Sequence, residues 1–162
     1  MVERFIADAT QVSRSDEEIA NPFKIKLGKV AQKLSEKTIE TKDDQYDFRF
    51  AWKNNIWHLY EPVSFDLVDP NSIREKANRW LGRGVALNDA RERFKIHFLL
   101  GEPRQPQTQE AFKNALHLLE KIPVEKDLIR EGEMERFATH VAEEIESHDA
   151  VEMILRDKPK GE

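Results

Sequence analysis

Apolar and polar positions alternate most sharply where Tyr46, Phe48, Phe50 and Trp52 interleave with Asp47, Arg49, Ala51 and Lys53. A period of two marks a half-buried strand. Asn54-Asn55 follows, and Asn accepts the positive φ that a tight hairpin turn requires. Ile56 to Phe65 returns as the second strand, so the pattern predicts a hairpin over 46–65. A two-residue loop pairs Lys53 with Ile56, Trp52 with Trp57, Phe50 with Leu59 and Phe48 with Glu61. Successive side chains point to opposite faces. One face then carries Tyr46, Phe48, Phe50, Trp52, Trp57 and Leu59, and helices have to cover it. Phe94, Ile96, Phe98 and Leu100 repeat the alternation as a third strand over 94–100.

Helical spacing organises most of the remainder. Asn21-Pro22 reads as a helix start, with Phe23, Leu27, Val30, Ala31 and Leu34 as the apolar stripe of a helix over 22–37. Gly28 inside it reads as a point of close packing. Asp69-Pro70 opens a second helix over 70–82, striped by Ile73, Ala77, Trp80 and Leu81 and ended by Gly82 and Gly84. Thr108 caps a third over 108–122, with Phe112, Ala115, Leu116 and Leu119 inward. Met134, Phe137, Ala138, Val141, Ala142 and Ile145 stripe a fourth over 132–148. Val124 to Ile129 reads as a short strand or a loop. The helix between the second and third strands permits a parallel crossover. The sum is an α+β fold: a small mixed sheet built on a central aromatic hairpin and covered by amphipathic helices. The whole chain, 1–162, reads as one domain with flexible ends at 1–15 and 156–162.

Composition narrows the function classes. A chain of 162 residues is long enough to bury a core without a disulfide or metal staple. It has no cysteine, which removes disulfides, thiolate metal sites and cysteine nucleophiles together. No stretch approaches the roughly 20 apolar residues of a membrane helix, and the first residues lack the sections of a signal peptide. A cytoplasmic protein without membrane contact is expected. The charge is uneven. Lys24, Lys26, Lys29, Lys33 and Lys37 lie in one segment, Arg74, Lys76, Arg79 and Arg83 in another, and the stretch 125–152 is acidic. This permits a basic face for a polyanion. It equally permits basic and acidic parts to pack side by side.

Candidate chemistry is sparse. Gly82-Arg83-Gly84 follows a helix and lacks the third glycine of a dinucleotide fingerprint. None of the five histidines forms a chelating pair in sequence, although His58 and His97 lie on strands that can approach each other. Neither a cofactor nor a metal site is expected. Glu61 stands out, because the register puts this carboxyl on the aromatic face. Burial raises a carboxyl pKa and makes a candidate general acid or base. Pro62 can instead leave it in water at a sheet edge, or a base such as Arg79 or Lys76 can neutralise it.

The order helix, acidic hairpin, helix, strand over 22–100 resembles the core of the PD-(D/E)xK nuclease superfamily. The resemblance implies an acid on one strand, matched by Asp47, and Glu-x-Lys on the next, which would hold Mg²⁺ and poise water. Glu61-Pro62-Val63 supplies the second acid but not the lysine, leaving Lys76 as a displaced substitute. The register points Asp47 and Glu61 to opposite faces.

The first functional expectation is therefore a non-catalytic protein-interaction or regulatory domain, as an accessory module of a larger prokaryotic or phage assembly. Its surface would be the C-terminal helices, with Met134, Phe137, Met153 and Leu155, meeting a protein partner or a second copy. The alternative is a nucleic-acid-binding protein, a degenerate nuclease core whose Lys24, Lys29, Lys33, Arg74, Lys76 and Arg79 converge on one face. An enzyme centred on Glu61 is the third, and it requires a cleft at that carboxylate.

Overall fold

Ser15 opens the first helix by accepting a hydrogen bond from the Glu18 amide at 3.1 Å. The computed structural model describes residues 12–157. In chain order these form α1 (Asp16–Leu27), β1 (Ser35–Glu40), β2 (Gln45–Lys53), β3 (Trp57–Ser64) and α2 (Pro70–Ala86). They continue with β4 (Phe94–Gly101), α3 (Gln109–Glu120), β5 (Lys126–Ile129) and α4 (Met134–Asp157). The fold is α+β. One five-stranded mixed sheet runs in the order β1-β2-β3-β4-β5. The pairs β1–β2 and β2–β3 are antiparallel, while β3–β4 and β4–β5 are parallel.

Helices cover both faces. On one, Ile73, Ala77 and Trp80 of α2 and Phe112, Ala115 and Leu119 of α3 pack on Phe48, Leu59, Val63, Ile96, Phe98 and Leu100. On the other, Ile19, Phe23 and Leu27 of α1 and Met134, Ala138, Val141 and Ile145 of α4 pack on Trp52, Tyr60 and Leu99. Strand β4 is buried from both sides, as a central parallel strand should be.

Several expectations change. The first helix starts at Asp16 rather than at Asn21-Pro22 and contains Pro22. It ends at Gly28, whose φ of 62° is open to a residue without a Cβ. A 3-10 segment, Gly28–Lys33, follows, and residues 35–37 belong to β1, not to the helix. This edge strand hides in the sequence because only Ile39 of it is fully buried and the rest is charged or polar. Helix α2 runs through Gly82 and Gly84 to Ala86 instead of stopping there. Gly84 lies against Ile122, which follows α3. Thr108 does not cap α3 with its side chain; its hydroxyl donates to the Gln105 carbonyl at 3.0 Å. Helix α4 extends nine residues past the expected end at 148, to Asp157.

The hairpin loop holds three residues, Asn54, Asn55 and Ile56, so Lys53 pairs with Trp57, Trp52 with His58 and Ala51 with Leu59. The predicted register is therefore one residue out. In β2 a bulge lies between Phe48 and Ala51, where the pairing with β1 slips. One extra residue reverses the alternation. Tyr46 and Phe48 consequently face α2 and α3, while Phe50 and Trp52 face α1 and α4. The aromatic stripe is shared between two cores instead of forming one.

Of the ends expected to be flexible, 1–11 and 158–162 lie outside the described residues. Residues 12–15 are pinned. Arg14 donates from Nε to Asp66 at 2.6 Å, from Nη2 to Glu131 at 2.6 Å and from Nη2 to the Glu102 carbonyl at 2.9 Å. Residues 156 and 157 belong to the last turn of α4.

Candidate functional site

The sheet forks where β2 and β3 part. Their pairing stops at Ala51 and Leu59. Beyond that point β2 stays on β1 from Gln45 to Phe48, and β3 stays on β4 as far as Ser64. A cavity of about 280 Å³ opens in the fork, lined by Tyr46, Phe48, Glu61, Trp80 and Arg83 among others. Glu61 lies on the aromatic face with Phe48, as expected. Its carboxyl has no hydrogen bond or ion pair among the described residues. Burial, then the neighbouring charge of Asp16, pushes its pKa up to about 7, against the opposing fields of Arg83, Arg49 and Lys76. The pairing with β2 does end before Pro62, which leaves Glu61 half-buried at the fork, and no base among the described residues neutralises it. Pro62 sits inside β3, in register with Leu99. Lys76 donates instead to Asp16 at 2.6 Å and to the Ser64 carbonyl at 2.7 Å, and Arg79 is exposed.

The nuclease-like set is not assembled. Asp47 is exposed on the opposite face, where it accepts a hydrogen bond from Thr38 at 2.6 Å. Val63, in the place of the missing lysine, is fully buried. Lys76 is held by Asp16 at the end of β3. Asp47 lines the same cavity as Glu61, but its carboxyl is taken by Thr38 and Lys76 by Asp16, so the three do not form one set.

The basic residues do not share a face either. Lys24 and Lys33 sit on the α1 side, Lys24 at 5.4 Å from the Phe50 ring and Lys33 paired with Asp149 of α4 at 3.2 Å. Lys29 is exposed on the same segment. Arg74, Lys76 and Arg79 belong to α2, across the sheet. The acidic and basic segments have in part paired with each other.

A second cluster lies on the face covered by α1 and α4. His58 Nδ1 stands 3.0 Å from His97 Nε2. His58 Nε2 meets Asn54 Oδ1 at 3.2 Å, and that oxygen also accepts from the Ile56 amide. His97 Nδ1 lies 3.3 Å from Asp127 Oδ2, off the line of a good hydrogen bond, and Lys95 holds the same oxygen at 3.0 Å. Tyr60 stacks on His97 with ring centroids 5.1 Å apart. Burial pushes His97 down to about 4 and His58 down from its ordinary value; it pushes the Tyr60 hydroxyl up. A cavity of about 150 Å³ in front of the pair is also lined by His140 and Glu144 of α4. An adjoining groove adds Trp52 and His148. Four of the five histidines thus line two adjoining cavities between the sheet and α4. The sequence signal was the placement of His58 and His97 on strands; only the offset between β3 and β4 brings them together.

The third feature is the end of α4. After Ile145 no residue of this helix is buried. Val151, Met153, Ile154 and Leu155 are 55%, 62%, 70% and 64% exposed. Met134 and Phe137, expected on the same partner surface, instead pack inward against the α1 side of the sheet.

These features define an α+β domain with a forked, five-stranded mixed sheet and a histidine-lined cleft. No family model, no curated protein and no solved structure matches the chain. Among the described residues, no helix is long and apolar enough to cross a membrane.

Proposed function

We propose that the chain is a non-catalytic protein-interaction domain that docks through the projecting end of α4. One observation carries this reading: three large apolar side chains on a helix end are more than half exposed. Val151, Ile154 and Leu155 are spaced i, i+3 and i+4, so they share one face of the helix. Asp149, Glu152 and Arg156 point to the other side, toward Lys33. A solvated helix face this apolar marks a protein contact. In the isolated protein the partner at hand is a second copy, whose own helix end offers the same apolar face in an isologous pairing.

Sedimentation velocity over a concentration series tests this. The wild type is expected to associate as concentration rises, and Ile154→Glu to remain monomeric with an unchanged melting temperature, since Ile154 supports nothing in the fold. A wild type that stays monomeric across the series contradicts the proposal.

A second reading is favoured by Glu61. A half-buried carboxyl facing a cavity, with no hydrogen bond or ion pair among the described residues, suits an enzyme that uses it as proton donor or acceptor near neutral pH. Arg83 at the cavity wall would hold an anionic part of the substrate. Glu61→Gln would then abolish turnover while leaving the fold intact.

A further inference from the structure

Where β2 and β3 part, the sheet encloses two charges that the fold does not answer. Their pairing ends at Ala51 and Leu59, and the cavity of about 280 Å³ lies in the fork beyond. Tyr46, Phe48 and Trp80 give it aromatic walls. Glu61 of β3 and Arg83 of α2 line it as well. Glu61 is half-buried and has no hydrogen bond or ion pair among the described residues. The Arg83 guanidinium lies over the Trp80 ring, 4.9 Å from its centroid, and no carboxylate among the described residues holds it. Two opposite charges therefore share one cavity without reaching each other.

We propose that the fork binds a small zwitterion with an apolar body, its ammonium on Glu61 and its carboxylate on Arg83. A free amino acid with a large apolar side chain is the simplest member of the class. Other charge types fit less well. An anion alone brings a second negative charge against Glu61, and a cation alone faces Arg83. A neutral apolar ligand takes water from both charges and returns nothing. A zwitterion answers both, and its own length spans the gap that keeps them from pairing. The aromatic walls attract an ammonium through their ring faces and cover an apolar body. With its flat face on Trp80, Arg83 keeps the N–H edge that a carboxylate accepts from in a forked pair. The volume lies near the lower end of small-molecule sites, about 300–1,000 Å³. The site is the one that the second reading assigns to proton transfer, and the ligand class rests on the cavity of that reading and not on turnover.

Binding and pH are linked at this carboxyl. In the empty cavity burial holds the pKa of Glu61 up at about 7, with Asp16 of α1 adding to it and Arg83, Arg49 and Lys76 opposing. Asp47 also lines the cavity, with its carboxyl taken by Thr38. An ammonium beside Glu61 favours the ionised form, so the ligand expels the proton. Affinity is then expected to rise by up to about tenfold per pH unit below about 7, and to level off by about pH 8.

Isothermal titration calorimetry with L-phenylalanine, 2-phenylethylamine and 3-phenylpropanoate tests the site. The three probes share one body and carry both charges, the ammonium alone and the carboxylate alone. At about pH 8, L-phenylalanine is expected to bind with a Kd of about 1 mM or tighter. Each single-charge probe should bind about tenfold or more weakly than that. Glu61→Gln and Arg83→Ala should each weaken L-phenylalanine binding by about tenfold or more without lowering the melting temperature. Glu61→Gln should also lose the rise of affinity with pH. No binding of L-phenylalanine overturns the proposal. A single-charge probe that binds as tightly overturns it too, as does binding that survives both substitutions. Binding without turnover sustains the site and removes the enzyme reading. Turnover of a substrate that L-phenylalanine does not displace sustains that reading and overturns the ligand class.

Discussion

Glu61 holds a carboxyl whose ionisation the fold opposes. Its pKa is about 7 in the folded protein against 4.5 for the free group. The folded state binds this proton more tightly than the unfolded chain does. The resulting stability is fully present below the unfolded value and is lost as pH rises through the folded one. Replacing the carboxyl by an amide of the same shape removes that pH dependence. Glu61→Gln is expected to become more stable than the wild type as pH rises from about 5 to about 8, by up to about 3 kcal/mol. Urea unfolding at a series of pH values measures it. Parallel profiles for the two proteins would show that Glu61 is ionised throughout and has a partner.

Arg14 acts in the opposite sense. Asp66, with a side chain 5% exposed, is held by Arg14 at 2.6 Å and by Arg104 at 2.5 Å. Arg14 also bridges to Glu131, so one guanidinium ties the entry of α1 to the loop after β3 and to the start of α4. Arg14→Ala leaves a buried carboxylate with one partner and should cost about 1–3 kcal/mol. Arg14→Lys should recover little, because an ammonium cannot repeat the forked geometry. A loss within about 0.5 kcal/mol in urea unfolding would show that Arg104 alone suffices.

At the scale of the element, α2 carries two glycines with opposite consequences. A Cβ on Gly84 would stand 2.5 Å from Ile122 Cγ2, whereas one on Gly82 meets nothing within 4 Å. Gly82→Ala should stabilise the helix by up to about 1 kcal/mol through propensity alone. Gly84→Ala should destabilise by about 1–3 kcal/mol through overpacking. Thermal unfolding of the two variants gives the comparison; shifts of the same sign would contradict the close approach of Ile122 to α2.

The same scale explains what the sequence makes legible. The strong periodicities of Phe94, Ile96, Phe98 and Leu100 and of Phe112, Ala115 and Leu119 name their elements and their buried faces correctly. Strand β1 is not legible, since Glu36, Lys37 and Glu40 on a sheet edge carry no apolar alternation. The division of Phe48 from Trp52 is not legible either, because a bulge is a property of pairing and not of one strand. Glu61 reached the correct face through a register that was one residue out. The parting of β2 from β3, which gives it a cavity, has no local signal. His58 and His97 are visible as strand residues, but their meeting depends on a parallel offset that alternation does not fix.

At the scale of the whole molecule, the described residues place chemistry on two faces and an unmet apolar surface at one end. The fork with Glu61 opens on the α2 side, and the histidine cleft on the α4 side. The two groups of basic residues are separated by the sheet, so a continuous track for a nucleic-acid backbone is not formed by them. What remains without a counterpart is the last part of α4. Its Val151, Ile154 and Leu155 are 55%, 70% and 64% exposed on one face of the helix. Docking through this helix end is the interaction proposed for the molecule as a whole. Hydrogen exchange along α4, followed by mass spectrometry at low and high protein concentration, tests it most directly. Amides over 147–157 are expected to gain protection as concentration rises, while those of the sheet stay unchanged. Equal exchange of that helix end at both concentrations would contradict it.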